Sequence, residues 1–168
     1  MLGVKLILGF GITGISCARY FSKKNIKFKI FDTRHKSDIK SSFISDFDQD
    51  LLFFNIYNNE LFTEVDEIII SPGFNQNHPI LDEVNNRKLP LSTDIDIFKK
   101  FSTKPIISIT GTNGKTTVVS MLEHVLTTLG IKAIACGNNG IPPLDINPNE
   151  YDYIILELSS YQLEYMSN

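Results

Sequence analysis

Short apolar, β-branched runs alternate along the chain with stretches whose apolar residues recur every three to four positions. Residues 4–8, 28–31 and 67–70 are runs of the first kind. Each is too short for a helix and apolar enough for a strand buried on both faces. Between the first two, residues 13–24 carry Ile15, Ala18 and Phe21 at helical spacing and close on Lys23-Lys24-Asn25. Strand, helix and strand joined tightly predict a right-handed parallel unit. Residues 79–87 predict a short helix with Ile80, Leu81 and Val84 inward. Residues 36–62 show no clear period and are assigned to no element.

A second series begins after Ser102-Thr103-Lys104-Pro105. Residues 106–110 predict a strand and residues 115–129 a helix. Val118, Leu122, Val125, Leu126 and Leu129 are its expected apolar face, and Gly130 its C-terminal cap. Residues 133–136 and 153–156 predict two more strands. A domain boundary is expected near residues 92–104, dividing the chain into 1–95 and 96–168. The chain stops at Glu164-Tyr165-Met166-Ser167-Asn168, inside a predicted helix. Three strands are few for a doubly wound sheet, so the second domain is expected to be truncated.

Composition narrows the class. Of 168 residues, 42% are hydrophobic and 21% charged, which suits a globular fold and not a disordered one. A net charge of −3 gives no basic footprint for nucleic acid and no polybasic membrane patch. The apolar N-terminal run is split by Lys5, and no run approaches the ~18–20 residues of a membrane span. Cys17 and Cys136 lie far apart and form no cluster with the histidines, which suggests a reducing compartment and no structural zinc. A cytoplasmic location is expected.

Two glycine loops carry the chemistry. The stronger is Ile106-Ile107-Ser108-Ile109-Thr110-Gly111-Thr112-Asn113-Gly114-Lys115-Thr116-Thr117, a strand running through glycines into a helix. Glycines let backbone amides turn toward phosphate oxygens, and a helix N-terminus adds unpaired N–H groups and partial positive charge. Lys115 is placed to reach β/γ-phosphates and the Thr116 hydroxyl to ligate Mg²⁺. Ile109 stands where the longer phosphate loop has its first glycine, so this is the shorter form built on Gly111 and Gly114. Glu157 ends the strand 153–156, at the edge where parallel sheets bind ligands, and pairs with Thr116 as a second oxygen donor to Mg²⁺.

The second loop, Gly9-Phe10-Gly11-Ile12-Thr13-Gly14, follows the first strand, and Asp32 ends the second strand. That is the layout of a dinucleotide-binding unit. It points to a phosphate-bearing ligand and leaves open whether that ligand is NAD or another nucleotide. Ser71-Pro72-Gly73 follows the third strand; from the local residues a plain turn and a crevice lining are equally good readings. The fold class is α/β: a Rossmann-like parallel-sheet domain, then the opening of a P-loop ATPase-type domain.

Taken together these motifs resemble one family. Thr110-Gly-Thr-Asn-Gly-Lys-Thr-Thr resembles the ATP loop of the Mur ligases, which build the peptide stem of peptidoglycan; folylpolyglutamate synthases share a similar loop. Leu156-Glu157-Leu158-Ser159-Ser160-Tyr161-Gln162-Leu163-Glu164 resembles a segment of the family's D-glutamate-adding members, as do Gly9 to Gly14, Asp32-Thr33-Arg34, Ser71-Pro72-Gly73 and Gly137-Asn138 in order and spacing. Tyr161 stands where Phe is common in that group, and Asn139 where an apolar residue is usual.

The resemblance implies an ATP- and Mg²⁺-dependent ligase that joins D-glutamate to UDP-N-acetylmuramoyl-L-alanine through an acyl phosphate. It implies that the first domain holds UDP. Thr33 and Arg34 are then expected at the uracil, Gly11, Ile12 and Thr13 near the diphosphate, Ser71 and Gly73 along the same groove, and Asn138 and Gln162 at the muramoyl nucleotide. Gly111, Thr112, Asn113, Gly114, Lys115, Thr116 and Thr117 are expected to hold ATP, with Lys115 and Glu157 catalytic. The family's second metal site and amino-acid-binding domain match nothing in these 168 residues, and His35, His78 and His124 are not at its histidine position. The piece is therefore expected to be inactive alone, and the full-length protein a monomer. Another Mur-type or folate-type ligase, or a non-catalytic nucleotide-binding module, are the alternatives.

Overall fold

The computed structural model describes residues 3–138 and 140–166, and these form two compact units that meet in sequence between Ser92 and Thr93. Each is an open parallel sheet with helices between its strands.

In the first unit the strands are β1 (Val4–Leu8), β2 (Phe28–Asp32), β3 (Leu52–Phe54), β4 (Val65–Ile70) and β5 (Leu91–Ser92), paired in the order β3-β2-β1-β4-β5. All four pairings are parallel. Leu6, Ile7, Leu8, Ile30, Ile68 and Ile69 are fully buried, which is why these strands read as continuous apolar runs and not as alternating ones. Helix α1 (Ile12–Lys23) follows β1 and buries Ile15, Ala18 and Phe21, the residues its period selects. The order reverses between β1 and β4, so the crevice of the unit opens there, at the carboxyl ends.

The segment without a clear period holds α2 (Ser41–Ile44), single turns of 3-10 helix and the three-residue edge strand β3. Elements this short give periodicity nothing to register. Helix α3 (Ile80–Asn86) buries Ile80, Leu81 and Val84 as expected.

One aromatic cluster gathers around Phe31 of β2. Phe31, Tyr57, Phe74 and His78 have ring centroids 5.7–6.3 Å apart in five pairings. The His78 Nδ1 accepts the Ile80 N–H at 3.2 Å, and burial holds the imidazole below its ordinary pKa. The unfolded chain thus takes up a proton on this side chain at higher pH than the folded one. Its contribution to stability is complete above the ordinary value of ~6.5 and is lost as pH falls through the lower folded value. We expect the His78 ring protons to titrate below ~6.5 by NMR, with the first unit losing stability over that acid range.

In the second unit, α4 (Asp94–Phe101) leads to β6 (Ile106–Ile109), α5 (Lys115–Thr128), β7 (Ala133–Gly137), β8 (Tyr153–Glu157) and α6 (Ser160–Tyr165). The strand order is β6-β8-β7, again all parallel. Helix α4, to which sequence periodicity assigns nothing, starts with a capping box. The Thr93 hydroxyl accepts the Asp96 N–H, and the Asp96 carboxylate accepts the Thr93 N–H. Ile95, Ile97 and Phe98 are buried beneath it.

The face of α5 differs from expectation. Val119 is buried against Ala133 and Ile155, with Leu122 and Leu126 packed beside it, so the inward stripe runs 119–122–126. Val118, Val125 and Leu129, expected inward, are 50%, 51% and 70% exposed, and Met121 is exposed with them. The helix carries apolar residues over nearly half its circumference, and a three-stranded sheet covers only part of that arc. Val118 and Val119 lie about 100° apart on the helix, and the pattern alone offers either as the partner of Leu122 and Leu126 on the inward stripe.

Candidate functional site

In the first unit the chain leaves β1 through Gly9, whose φ of +103° suits glycine alone, and enters α1 past its N-cap Gly11, with Gly14 in the first turn. A β-carbon on Gly14 would lie 1.9 Å from the Gly9 carbonyl oxygen, so the glycine is what lets the helix start against its own turn. The buried Ser71 Oγ donates to the same carbonyl at 3.3 Å, tying the end of β4 to the loop. Gly11 and Gly73 have open space where a side chain would be, and Ile12 is well exposed at the start of the helix. Thr13 and Thr33 are half-buried.

Asp32 sits where a dinucleotide-binding unit keeps its ribose-binding acid, but both of its oxygens are engaged. Oδ2 accepts from the Phe10 N–H (2.7 Å) and the Arg34 guanidinium (2.8 Å), and Oδ1 from the Arg34 N–H (2.9 Å) and Arg34 Nε (2.8 Å). Burial works to raise the Asp32 pKa. The hydrogen bonds from Arg34 and Phe10 and the guanidinium charge outweigh it and leave the carboxyl below its ordinary value. Arg34 also donates to the Phe10 carbonyl at 3.2 Å, so the glycine loop and the Asp32-Thr33-Arg34 turn form one assembly with a pre-set, half-exposed cation.

In the second unit, Gly111 (φ +149°) and Gly114 (φ +77°) turn the chain from β6 into α5. Lys115 reaches back to the Gly111 carbonyl at 2.7 Å, and residues 111–114, Thr116 and Thr117 are exposed. The Thr116 hydroxyl donates to Glu157 Oε2 at 2.9 Å. Glu157 is buried at the last position of β8, its backbone held on both sides: Asn138 N–H donates to its carbonyl at 2.8 Å, and Leu158 N–H donates to Ile109 at 2.9 Å. A hydroxyl and a carboxylate are hard oxygen donors. Meeting beside a glycine loop at a helix N-terminus, they suit a small divalent cation bound with a phosphate chain.

The exposed Asn138 follows β7 at the mouth of this sheet, while Asn139 lies outside the described residues. Gln162 is buried inside the unit with its amide engaged by neighbours. The structure thus brings Thr116 to Glu157 and Arg34 to Phe10, and turns Ser71 and Gln162 inward. Sequence reasoning missed Asp94, whose buried carboxyl meets Gln162 across 68 positions. Its only local signal is the Thr93-Asp94-Ile95-Asp96 cap. Among the described residues no helix is long and apolar enough to cross a membrane.

Comparison with known proteins agrees with this geometry. Residues 4–92 match the family model of the Mur ligase MurD-like N-terminal domain, and residues 109–167 that of the Mur ligase middle domain. The UDP-N-acetylmuramoylalanine–D-glutamate ligase of Buchnera aphidicola subsp. Acyrthosiphon pisum (strain Tuc7) is 44% identical over 160 residues, and that of Coxiella burnetii (strain Dugway 5J108-111) 37% over 159. Both alignments cover 95% of this chain and 36% of the relative, so the chain spans about a third of the length of the curated relatives it matches. Among solved structures, UDP-N-acetylmuramate:L-alanyl-gamma-D-glutamyl-meso-diaminopimelate ligase from Neisseria meningitides superposes with a TM-score of 0.54 at 17% identity, covering 94% of this chain and 52% of that one. UDP-N-acetylmuramate-alanine ligase from Thermotoga maritima does so with 0.53 at 16%, covering 94% and 37%. At such identities these two speak to the fold alone.

Proposed function

Since the chain belongs to the Mur ligase family, we propose that it supplies the nucleotide-sugar-binding part and the ATP loop of a ligase joining D-glutamate to UDP-N-acetylmuramoyl-L-alanine. The observation that carries the reading is the 2.9 Å contact of Thr116 with Glu157 at the mouth of the 111–114 loop. There, the loop amides and the α5 N-terminus bind the phosphates of ATP, and Lys115 exchanges the Gly111 carbonyl for a phosphate oxygen. Thr116 and Glu157 would hold Mg²⁺, which would supply charge neutralisation on the transferring phosphoryl group.

The reaction proceeds in two steps. The alanyl carboxylate attacks the γ-phosphorus and ADP departs, leaving an acyl phosphate. The D-glutamate amine then attacks the acyl carbon, and inorganic phosphate leaves as the amide forms. Lys115 and the loop amides stabilise the negative charge on the phosphoryl oxygens. In the first unit, Gly11, Ile12 and Thr13 border the diphosphate, Thr33 and Arg34 meet the uracil, and Ser71 and Gly73 shape the groove. Asn138 approaches the muramoyl nucleotide.

The engaged Asp32 argues against NAD, because each carboxylate oxygen already accepts two hydrogen bonds, from Phe10 and Arg34, and has no lone pair left for the ribose hydroxyl that this acid takes in a dinucleotide-binding unit. Titration calorimetry on the chain is expected to show UDP binding more tightly than NAD. Arg34→Ala is expected to weaken UDP about tenfold or more, the value of one charge-assisted hydrogen bond. Tighter binding of NAD would overturn the UDP reading, and absence of ATP binding would favour a nucleotide-sensing module.

A further inference from the structure

The resemblance directs Gln162 toward substrate, yet its amide is engaged at both ends inside the protein. Its Oε1 accepts from the Ser159 N–H at 3.0 Å and the Ser159 hydroxyl at 3.2 Å, and its own N–H donates to Ser159 Oγ at 3.1 Å, a reciprocal capping box that starts α6. Its Nε2 donates to Asp94 Oδ1 at 3.3 Å. Asp94 and Gln162 are each 1% exposed. Asp94 is the first residue of α4, so a single buried hydrogen bond joins the N-terminus of α4 to the N-terminus of α6.

Such a bond is costly to build. A buried carboxyl loses hydration, and burial pushes the Asp94 pKa up to about 6 despite the Gln162 donor and the N–H groups of the helix start. An apolar pair of the same shape packs there without that cost, so the polar pair calls for a role that a hydrophobic contact cannot fill. The location supplies one. Ser159, clamped by Gln162, lies two residues beyond Glu157. The Glu157 backbone is held by Asn138 and by the Leu158 bond to Ile109 up to the end of the strand. Past that point the chain direction is set by the α6 cap, and the cap is anchored by Asp94.

We propose that Asp94 is a positioning residue for the Thr116–Glu157 pair: through Gln162 it locks the turn between β8 and α6 and so sets where Glu157 presents its carboxylate. This rests on the reading of that pair as the Mg²⁺-nucleotide site. It assigns Gln162 a structural hold on the site, made through Asp94 and Ser159.

The test exchanges donor and acceptor in the full chain. Gln162→Glu keeps the cap acceptor for Ser159 but sets a second carboxylate against Asp94. Asp94→Asn added to it supplies a donating amide in the opposite sense. ATP affinity is measured with Mg²⁺ and with EDTA, alongside thermal unfolding. The single variant is expected to lose at least tenfold in ATP affinity with Mg²⁺ and less than twofold in EDTA, and the double variant to return within threefold of the parent. Should Gln162→Glu not fold, Asp94→Ala, which leaves the Gln162 N–H without its acceptor, is expected to show the same Mg²⁺-selective loss. Lower melting temperature with unchanged Mg²⁺-dependent affinity overturns the proposal, as does a folded double variant that fails to recover. If the parent chain shows no Mg²⁺-dependent ATP binding, the underlying reading of the site falls first and the proposal with it.

Discussion

Gly14→Ala is expected to lower the melting temperature of the first unit by about 12–24 °C and to abolish the nucleotide binding proposed for it. The added methyl would sit 1.9 Å from the Gly9 carbonyl oxygen and 3.3 Å from Ser71 Oγ. The first contact is with backbone, which no rotamer change relieves, so either α1 tilts or the Gly9 turn opens. Overpacking of this kind costs ~3 kcal/mol, a large share of a typical ~5–15 kcal/mol. The Gly9 turn also sets the course of Phe10, whose N–H and carbonyl hold Asp32 and Arg34. Opening the turn therefore scatters the pre-set guanidinium as well as the helix N-terminus. Gly11→Ala is the stability control: its β-carbon meets nothing within 4 Å, and its φ of −95° is ordinary. Exchanging the N-cap glycine costs less than about 1 kcal/mol. Thermal melts of the two variants followed by amide exchange of β1 and β4 separate the cases. Equal melting temperatures would show that the tight entry into α1 is not what the glycine supplies.

The contrast between Gly14 and Gly11 also shows how the sequence informs. A glycine motif names both residues and ranks neither; only the three-dimensional approach of α1 to its own turn does. The 110–117 loop was legible because its chemistry is local: glycines, Lys115 and Thr116 follow one another in the order that phosphate requires. Glu157 was legible because a carboxylate ending an apolar run in a parallel sheet has one place to face. The sequence places Asp32 at the end of the second strand, in the layout of a dinucleotide-binding unit, and the structure shows its carboxylate engaged by Arg34 two residues on. An Asp-x-Arg turn carries that signal in principle, but the chain just past β3 also ties it down, with Asn55 N–H docking on the Asp32 carbonyl at 2.8 Å. Strand β3 is three residues long and left no pattern. Asp94 and Gln162 illustrate the opposite limit. Each looks like an ordinary helix-start residue, and their meeting is a property of how α4 and α6 pack, 68 positions apart. On α5, Val118 and Val119 are chemically identical neighbours. Which of them is buried depends on the three strands beneath, and hydrophobicity cannot rank them.

Gly137→Ala is expected to destabilise the second unit by about 2–6 kcal/mol and to remove most of the Mg²⁺-dependent ATP binding proposed above, because the same residue permits the fold and places the Glu157 carboxylate proposed to hold the metal. Gly137 ends β7 at φ +118°, which L side chains rarely adopt, and pairs in register with Glu157 on β8. An added β-carbon would lie 2.4 Å from the Glu157 carbonyl oxygen, 3.0 Å from its nitrogen and 3.2 Å from its carbonyl carbon. Relief requires β7 and β8 to separate at their carboxyl ends, which also breaks the Asn138 N–H bond to Glu157. A shift of Glu157 by about 1 Å carries its carboxylate away from Thr116, and misplacement on that scale costs roughly 10²-fold in function at sites that depend on geometry. Gly130→Ala isolates the backbone part of the effect. Its φ is +80° with nothing within 4 Å of the added carbon, so it is expected to cost only about 1–2 kcal/mol and to leave ATP affinity unchanged. Denaturant unfolding and ATP calorimetry with Mg²⁺ and with EDTA measure both variants. If Gly137→Ala unfolds like Gly130→Ala and binds ATP like the parent, then close approach of β7 to Glu157 is not what positions the carboxylate, and the site owes its geometry to the loop and the α6 cap alone.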